Sequence, residues 1–426
     1  MPYDLTIIGA GWAGFNAALR AKALGLKVAL IERDQIGGTC LNRGCIPTKA
    51  LIQSAKIYSL SKKSATFGIE TAHPQINFPA VCARKEKIIR QLESGMQFRL
   101  KGIDFLSGEA KITSSHCVNL SGQTIATKSI LIATGSKPAQ LPSLKFDSQK
   151  IISSDEIINL KEIPASLLII GAGVIGCEFA SLFASLGTEV ELVEKMPQVL
   201  PGEDKEVAKK LENIFKKKGI KVNTATRASG FDFSKYTLVL LCVGRVPLTE
   251  NLGLEDLGLK LEKRAIVVDD YLQTNLKGIY AAGDCTGQIM LAHYAAYQGR
   301  IAAENIASGQ NQKKISATAV PYCIFTDPQI ASVGLKEEAG GNIKVHKFDF
   351  MGLAMGRILD ETEGFIKIIS DKKSEVILGV SIIGPQATEL ISVACLAIGA
   401  KLKISQIRDT IFAHPTISEA ISEALQ

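Results

Sequence analysis

Residues 5–8 form an unbroken apolar run that stops at Gly9-Ala10-Gly11-Trp12-Ala13-Gly14 and resumes as a mixed stretch to about residue 24. A short apolar run before a glycine turn reads as a buried parallel strand, and the mixed stretch as a helix laid against it. A second apolar run, 27–31, ends at Glu32. The whole pattern then recurs: residues 167–170, the turn Gly171-Ala172-Gly173-Val174-Ile175-Gly176, a helix to 186, and a strand 189–193 ending at Glu194. Each copy has a later companion strand that breaks into a glycine turn, Ile130-Leu131-Ile132-Ala133-Thr134-Gly135 and Leu238-Val239-Leu240-Leu241-Cys242-Val243-Gly244. Helices are predicted over 48–60, 79–101 and 204–218, with a hairpin-rich stretch at 107–127. The segment Ile279-Tyr280-Ala281-Ala282-Gly283-Asp284 is one more strand ending in a glycine turn and an acid, ahead of a helix from near residue 291. From about residue 315 the texture changes to strands with alternating or short apolar runs (331–335, 343–350, 364–369, 376–383), followed by helices from 387 and 404.

This pattern predicts an α/β protein with two Rossmann-like dinucleotide-binding domains and an α+β C-terminal domain suited to packing or dimerisation. The glycines let the backbone approach a pyrophosphate at a helix N-terminus, and an acid at the end of the next strand can bind ribose hydroxyls. In both copies the acid stands 18 residues after the last glycine. One such match is weak evidence; two with equal spacing predict homologous domains. The strand at 279–281 reads as the chain returning to the first domain after the second has been inserted.

Between the first copy's strands and its first long helix lies Gly37-Gly38-Thr39-Cys40-Leu41-Asn42-Arg43-Gly44-Cys45-Ile46-Pro47-Thr48-Lys49. On a regular helix, residues five apart lie about 8.6 Å from each other at Cα. A disulfide tolerates at most about 6.8 Å. Pairing of Cys40 with Cys45 therefore needs a distorted first turn, or a Cys40 that precedes it, and the glycines permit either. A helix N-terminus also favours the thiolate. Two buried cysteines that never pair would be the plain reading of an isolated intracellular pair, but nucleotide signals on both sides favour a redox disulfide.

Composition narrows the setting. With 46% hydrophobic and 21% charged residues, the 426-residue chain reads as a soluble globular protein of several domains. Its net charge of +7 is dispersed. The densest run, Lys209-Lys210 and Lys216-Lys217-Lys218, falls on a predicted amphipathic helix and reads as a solvated face, so no nucleic-acid partner is expected. No apolar run approaches the ~18 residues of a membrane span, and the N-terminus shows no charged leader. Nine cysteines, an odd number without regular spacing, argue against a secreted disulfide scaffold and for a reducing cytoplasm. Cys82, Cys117, Cys177, Cys242, Cys285, Cys323 and Cys395 are expected to pack as small apolar residues. No metal site is expected.

Taken in order, these motifs resemble the disulfide-reductase flavoproteins, the class I pyridine nucleotide-disulfide oxidoreductases, and within them the dihydrolipoyl dehydrogenase branch. The likeness runs from Gly9, Gly11 and Gly14 through the cysteine motif, the turn Ala133-Thr134-Gly135, the second fingerprint Gly171, Gly173 and Gly176, and Gly244-Arg245. It continues through Asp284 and Met290-Leu291-Ala292-His293 to Ala413-His414-Pro415-Thr416-Ile417-Ser418-Glu419-Ala420. It implies a homodimer whose subunits divide into an FAD-binding part with the redox disulfide (1–142), an NAD-binding domain (143–264), a second FAD-binding part (265–312) and an interface domain (313–426). Glu32 and Asp284 would hold FAD, Ala110 would meet its adenine through the backbone, and Lys49 would sit near the flavin paired with Glu178. Ala133, Thr134, Gly135, Met290, Leu291, Ala292 and His293 would complete the FAD contacts, while Gly171, Gly173, Gly176, Glu194 and Gly244 would take NAD. Glu194 favours NAD over NADP, because a carboxylate there repels a 2′-phosphate.

The same resemblance implies the chemistry. Cys40 and Cys45 would form the disulfide reduced by dihydrolipoamide, free or carried on a lipoyl domain of a 2-oxoacid dehydrogenase or glycine-cleavage complex. His414, oriented by Glu419, would be the acid–base group, reaching the disulfide from the partner subunit. Three features depart from the pattern: the segment 221–237 is shorter than the strand meander of relatives, Trp12 replaces a proline or small residue, and Gln298 stands where glutamate is frequent. A glutathione-like or other small-disulfide reductase is the nearest alternative; a non-catalytic flavoprotein scaffold is the other. A mercuric reductase is disfavoured because the C-terminal end has no cysteine pair.

Overall fold

The computed structural model describes residues 1–310 and 312–426. Its first sheet has seven strands, built outward from Tyr3–Ile8. That strand lies parallel between Val28–Glu32 and Gln123–Ile132, and Asp104–Ser107 pairs with the far side of Val28–Glu32. Cys117–Leu120 and Ala110–Ser114 extend the other side as an antiparallel hairpin. The strand Ile279–Ala281 pairs in parallel with Gln123–Ile132, so the chain does return to its first sheet. The helices Trp12–Ala23 and Ala292–Ser308 lie against each other on one face. A Cβ on Gly299 would stand 2.1 Å from the Ala13 carbonyl oxygen, so only glycine allows that contact.

The second sheet is all parallel, in the order Lys221–Asn223, Glu189–Val193, Ser166–Ile170, Leu238–Leu241, Ile151–Ile152. Between Asn223 and Leu238 there are only two single turns of 3₁₀ helix, Ala228–Gly230 and Phe233–Lys235. The helix Lys205–Lys217 covers this sheet with Val207, Ala208, Leu211, Ile214 and Phe215, all buried. Asp204 caps it by accepting from the amides of Glu206 and Val207. Its lysines face outward into ion pairs, Lys209 and Lys216 with Glu212, Lys210 and Lys217 with Glu363, as a solvated face should.

The two sheets repeat one local solution. The first fingerprint glycine has positive φ in both, +103° at Gly9 and +105° at Gly171. Its hydrogen faces the end of the companion strand: a Cβ would stand 2.4 Å from the Ala133 oxygen in one copy and 2.5 Å from the Cys242 oxygen in the other. Any side chain there would force the turn away from the sheet, which is why glycine recurs at both.

A third sheet, antiparallel, runs Tyr322–Ile324, Gln329–Gly334, Ile377–Gly384, Phe365–Asp371, Ile343–Asp349. The helices Ala387–Gly399, Ile404–Arg408 and Glu419–Glu423 back it, and Val380, Ile382, Leu390, Ile391, Ile407 and Ile421 close its core. The sequence pattern misses only its short edge strand, Tyr322–Ile324. Lys367, 2% exposed, joins this sheet to the second through Asp204 and Glu206, as well as meeting Glu337. No helix among the described residues is long and apolar enough to cross a membrane.

Candidate active site

Cys40 and Cys45 do not share a helix. Cys40 lies within the short helix Gly38–Asn42 and Cys45 opens the long helix Cys45–Lys62, which begins three residues before the predicted start at 48. The chain breaks between them at Arg43 and Gly44, resolving the geometric conflict of a single helix. Gly37 and Gly38, at φ +89° and +55°, make the entrance possible. Both cysteines are free thiols. Interaction with Cys40 lowers the Cys45 pKa to about 7 against the cost of burial, with Lys49 adding positive charge. The same interaction, together with burial, pushes Cys40 upward. The pair is therefore asymmetric, with Cys45 the more acidic thiol.

Lys49, one turn along the same helix, places Nζ 2.7 and 2.8 Å from the two carboxylate oxygens of Glu178 in the second fingerprint helix. Glu178 is buried rather than a surface residue, and it also accepts from the Phe325 amide at 2.9 Å. The Phe325 ring lies 4.7 Å from Lys49 Nζ. Three parts of the chain thus converge beside the thiols.

The acids at the two strand ends are equivalent. Glu32 accepts from the amides of Ala10 (2.7 Å) and Asp34 (3.0 Å), and Glu194 from those of Ala172 and Met196 (both 2.8 Å). Each carboxylate oxygen keeps a lone pair for a ribose hydroxyl. The third fingerprint glycines are equally constrained, since a Cβ on Gly14 or Gly176 would collide with the oxygen of Gly9 or Gly171 at 1.8 and 1.9 Å. Bare backbone, a helix N-terminus and an acid at the strand end fit a dinucleotide in both cradles.

Asp284 lies at the end of the returning strand and accepts from the Ser136 hydroxyl at 2.6 Å, one residue beyond Ala133-Thr134-Gly135. Arg245, beside Gly244, donates to the same hydroxyl at 2.7 Å. Ala110 is buried in the hairpin edge of the first sheet. Met290 and Leu291 lead into the helix that Ala292 and His293 begin; His293 Nε2 lies 2.8 Å from the Pro321 oxygen, and burial lowers its pKa.

His414 stands apart. Its Nδ1 is 2.8 Å from Glu419 Oε1, while Glu419 Oε2 accepts from the Thr416 amide at 2.8 Å. The Thr416 amide and the imidazole hold the Glu419 pKa below its usual value. With Nδ1 engaged, Nε2 is the free nitrogen, on a side chain 73% exposed. Among the described residues no hydrogen bond or ion pair joins His414 to Cys40 within the subunit. Ile411, 97% exposed, and Leu396, 74% exposed, leave apolar surface on the same C-terminal part of the chain.

Comparison with known proteins decides the family. Residues 3–299 match the pyridine nucleotide-disulphide oxidoreductase family and residues 320–425 its dimerisation domain. The chain belongs to that family. The oxidoreductase is 40% identical to the dihydrolipoyl dehydrogenase of Chlamydia muridarum, over 99% of this chain and 96% of the relative. It is 37% identical to a dihydrolipoyl dehydrogenase of Bacillus subtilis, over 99% and 97%. Among solved structures it is similar to LpdA from Mycobacterium tuberculosis (28% identity, TM-score 0.92, covering 99% of this chain and 98% of that one). It is also similar to the HOCl-induced flavoprotein disulfide reductase RclA from Escherichia coli (30% identity, TM-score 0.87, covering 99% of each). FAD and NAD are the family's cofactors, and the matched dimerisation domain suggests a homodimer.

Sequence reasoning missed Ser136 and Phe325, and named Arg245 and Gln298 without a role for either. Ser136 and Arg245 brace Asp284, and Phe325 fixes Glu178. Gln298 is fully buried, accepts from the Gly283 amide at 2.8 Å and donates to Gln288 at 2.9 Å. An ionised glutamate there could accept from the Gly283 amide but could not donate to the Gln288 oxygen. Of the other seven cysteines, Cys177, Cys242 and Cys285 are buried as expected, whereas Cys82, Cys117, Cys323 and Cys395 are only partly so.

Proposed function

We propose that the chain is a dihydrolipoyl dehydrogenase that oxidises dihydrolipoamide to lipoamide with NAD⁺ through a Cys40–Cys45 disulfide. The observation that carries this reading is the asymmetric thiol pair at the break between two helices, beside Lys49 and between two dinucleotide cradles.

The partner subunit's His414, oriented by its Glu419, takes the proton from one substrate thiol. The thiolate so formed attacks Cys40 Sγ; the Cys40–Cys45 bond breaks and its electron pair goes to Cys45, the sulfur whose thiolate is stabilised. The second substrate thiol, deprotonated in turn, attacks the substrate sulfur bonded to Cys40. The cyclic disulfide leaves and the electron pair goes to Cys40. Bound FAD would supply the two-electron step between this dithiol and NAD⁺. Glu32, Asp284, the backbone of Ala110, Ala133-Thr134-Gly135 and Met290 to His293 hold FAD. The Gly171, Gly173, Gly176 cradle with Glu194 and Gly244 would hold NAD, and Lys49, paired with Glu178, stands beside Cys45.

This assignment carries the four-part division at 1–142, 143–264, 265–312 and 313–426, a cytoplasmic location, and a lipoyl domain of a 2-oxoacid dehydrogenase or glycine-cleavage complex as the carrier of substrate. Similarity to RclA favours a second reading, a reductase of other disulfides. Purified FAD-loaded protein reducing NAD⁺ with dihydrolipoamide supports the first; activity confined to reduction of other disulfides by a reduced nicotinamide supports the second.

A further inference from the structure

Trp12 opens the first fingerprint helix, and the turn that carries it packs directly on the segment that carries Cys40. The Gly37 amide donates to the Ala10 oxygen at 2.9 Å, and a Cβ on Gly38 would stand 2.9 Å from the Gly11 Cα. The indole Nε1 is buried without an acceptor in hydrogen-bonding geometry among the described residues. From this turn over the Cys40 segment the indole draws the thiol's pKa downward, against the larger upward effects of Cys45 and burial. Buried donors are rarely left unpaired, and one that persists beside a reactive sulfur needs an explanation.

The state of the thiols supplies it. In the reduced pair Cys45 and burial hold Cys40 toward its neutral thiol, so little charge stands on Cys40 for the indole to meet. Charge reaches Cys40 at one step of the disulfide exchange, when the second substrate thiolate attacks the sulfur bonded to it. A sulfur–sulfur bond forms within the substrate, the bond to Cys40 Sγ breaks, and the electron pair stays on Cys40. We propose that the Trp12 indole N–H is a donor held for that leaving thiolate, in the way that backbone donors are held for an oxyanion. Resting on the disulfide-exchange reading above, it assigns Trp12 to product release. Exchange is faster when the leaving thiol is better stabilised, and a contact realised only as charge develops accelerates the step rather than binding the ground state. Within the subunit the other groups facing Cys40 are Cys45 and Lys49, both on the helix Cys45–Lys62, and the proposed reaction adds the partner subunit's His414.

Cys45→Ser isolates the Cys40 titration. In the FAD-loaded protein, the pH dependence of Cys40 alkylation by iodoacetamide is compared between Cys45→Ser and Cys45→Ser with Trp12→Phe, which keeps an aromatic ring and loses the N–H. Loss of the donor raises the midpoint by about one pH unit, a ~10-fold weaker thiolate; coincident midpoints overturn the proposal. A second measurement leaves Trp12 in place. It is the only tryptophan of the chain, so a ¹⁵N-tryptophan-labelled Cys45→Ser protein has one indole N–H resonance. That resonance moves downfield with the same midpoint as alkylation, and a resonance that stays fixed through the Cys40 titration overturns the proposal. Neither measurement uses dihydrolipoamide or NAD⁺, so failure of the substrate assignment leaves both results standing.

Discussion

Lys49 and Glu178, 129 positions apart, meet at 2.7 Å and tie the cysteine helix to the second fingerprint helix. The Glu178 side chain is 4% exposed and that of Lys49 30%, so the carboxylate depends on this one ammonium for its charge partner. Lys49→Met strands a buried carboxylate and should cost about 3 kcal/mol, the low end for a broken buried pair because Lys49 retains some water. The double variant with Glu178→Gln should recover most of that loss. Chemical denaturation checks both; an unaffected Lys49→Met would remove the structural role assigned to the pair.

The thiol asymmetry makes a pH prediction. In the reduced protein, alkylation of Cys45 should rise with pH through about 7, because the thiol is protonated below that value and ionised above it. Cys40→Ala removes the largest cause, the interaction with Cys40, and should move the midpoint up toward that of an ordinary cysteine. Mass-spectrometric alkylation profiles read both, and a midpoint already near 9 in the unsubstituted protein would contradict the assignment.

His414→Ala should keep FAD and slow dihydrolipoamide oxidation by about 100-fold or more, the scale of a general acid–base group. Its exposure and distance from any bond to Cys40 motivate a sharper test. Mixing inactive Cys40→Ser and His414→Ala subunits creates one intact site per hybrid dimer if His414 acts across the interface. Recovered activity is expected; none recovered after verified exchange would place the histidine within its own subunit.

Glu194, which holds two backbone amides, is the residue proposed to meet the coenzyme ribose. Glu194→Gln should raise the NAD⁺ KM by about 10-fold, the loss of one charge-assisted hydrogen bond. An unchanged KM in steady-state kinetics would separate Glu194 from the coenzyme.

How far the sequence reveals these arrangements depends on what each residue must satisfy locally. Gly9 and Gly171 are legible because positive φ and contact with the companion strand admit no side chain. The His414–Glu419 spacing is legible because both partners lie within one turn of chain. Less visible was the break at Arg43 and Gly44: the helical pattern after residue 48 predicts one helix, while packing of Gly38 on Gly11 sets a separate turn ahead of it. Phe325 was invisible and Gln298 showed only as a departure, because they act through a backbone amide and a buried amide pair, both made by tertiary contact. The shortened 221–237 segment is evident in the sequence, but only the structure shows the parallel sheet closing without a meander.

The central claim meets its most direct test in NAD⁺ reduction by dihydrolipoamide with the purified, FAD-loaded dimer, NADP⁺ being run alongside. The account predicts turnover with NAD⁺, little with NADP⁺, and none once Cys40 or Cys45 is replaced by serine. FAD-loaded protein that shows no turnover with dihydrolipoamide and either coenzyme would contradict it.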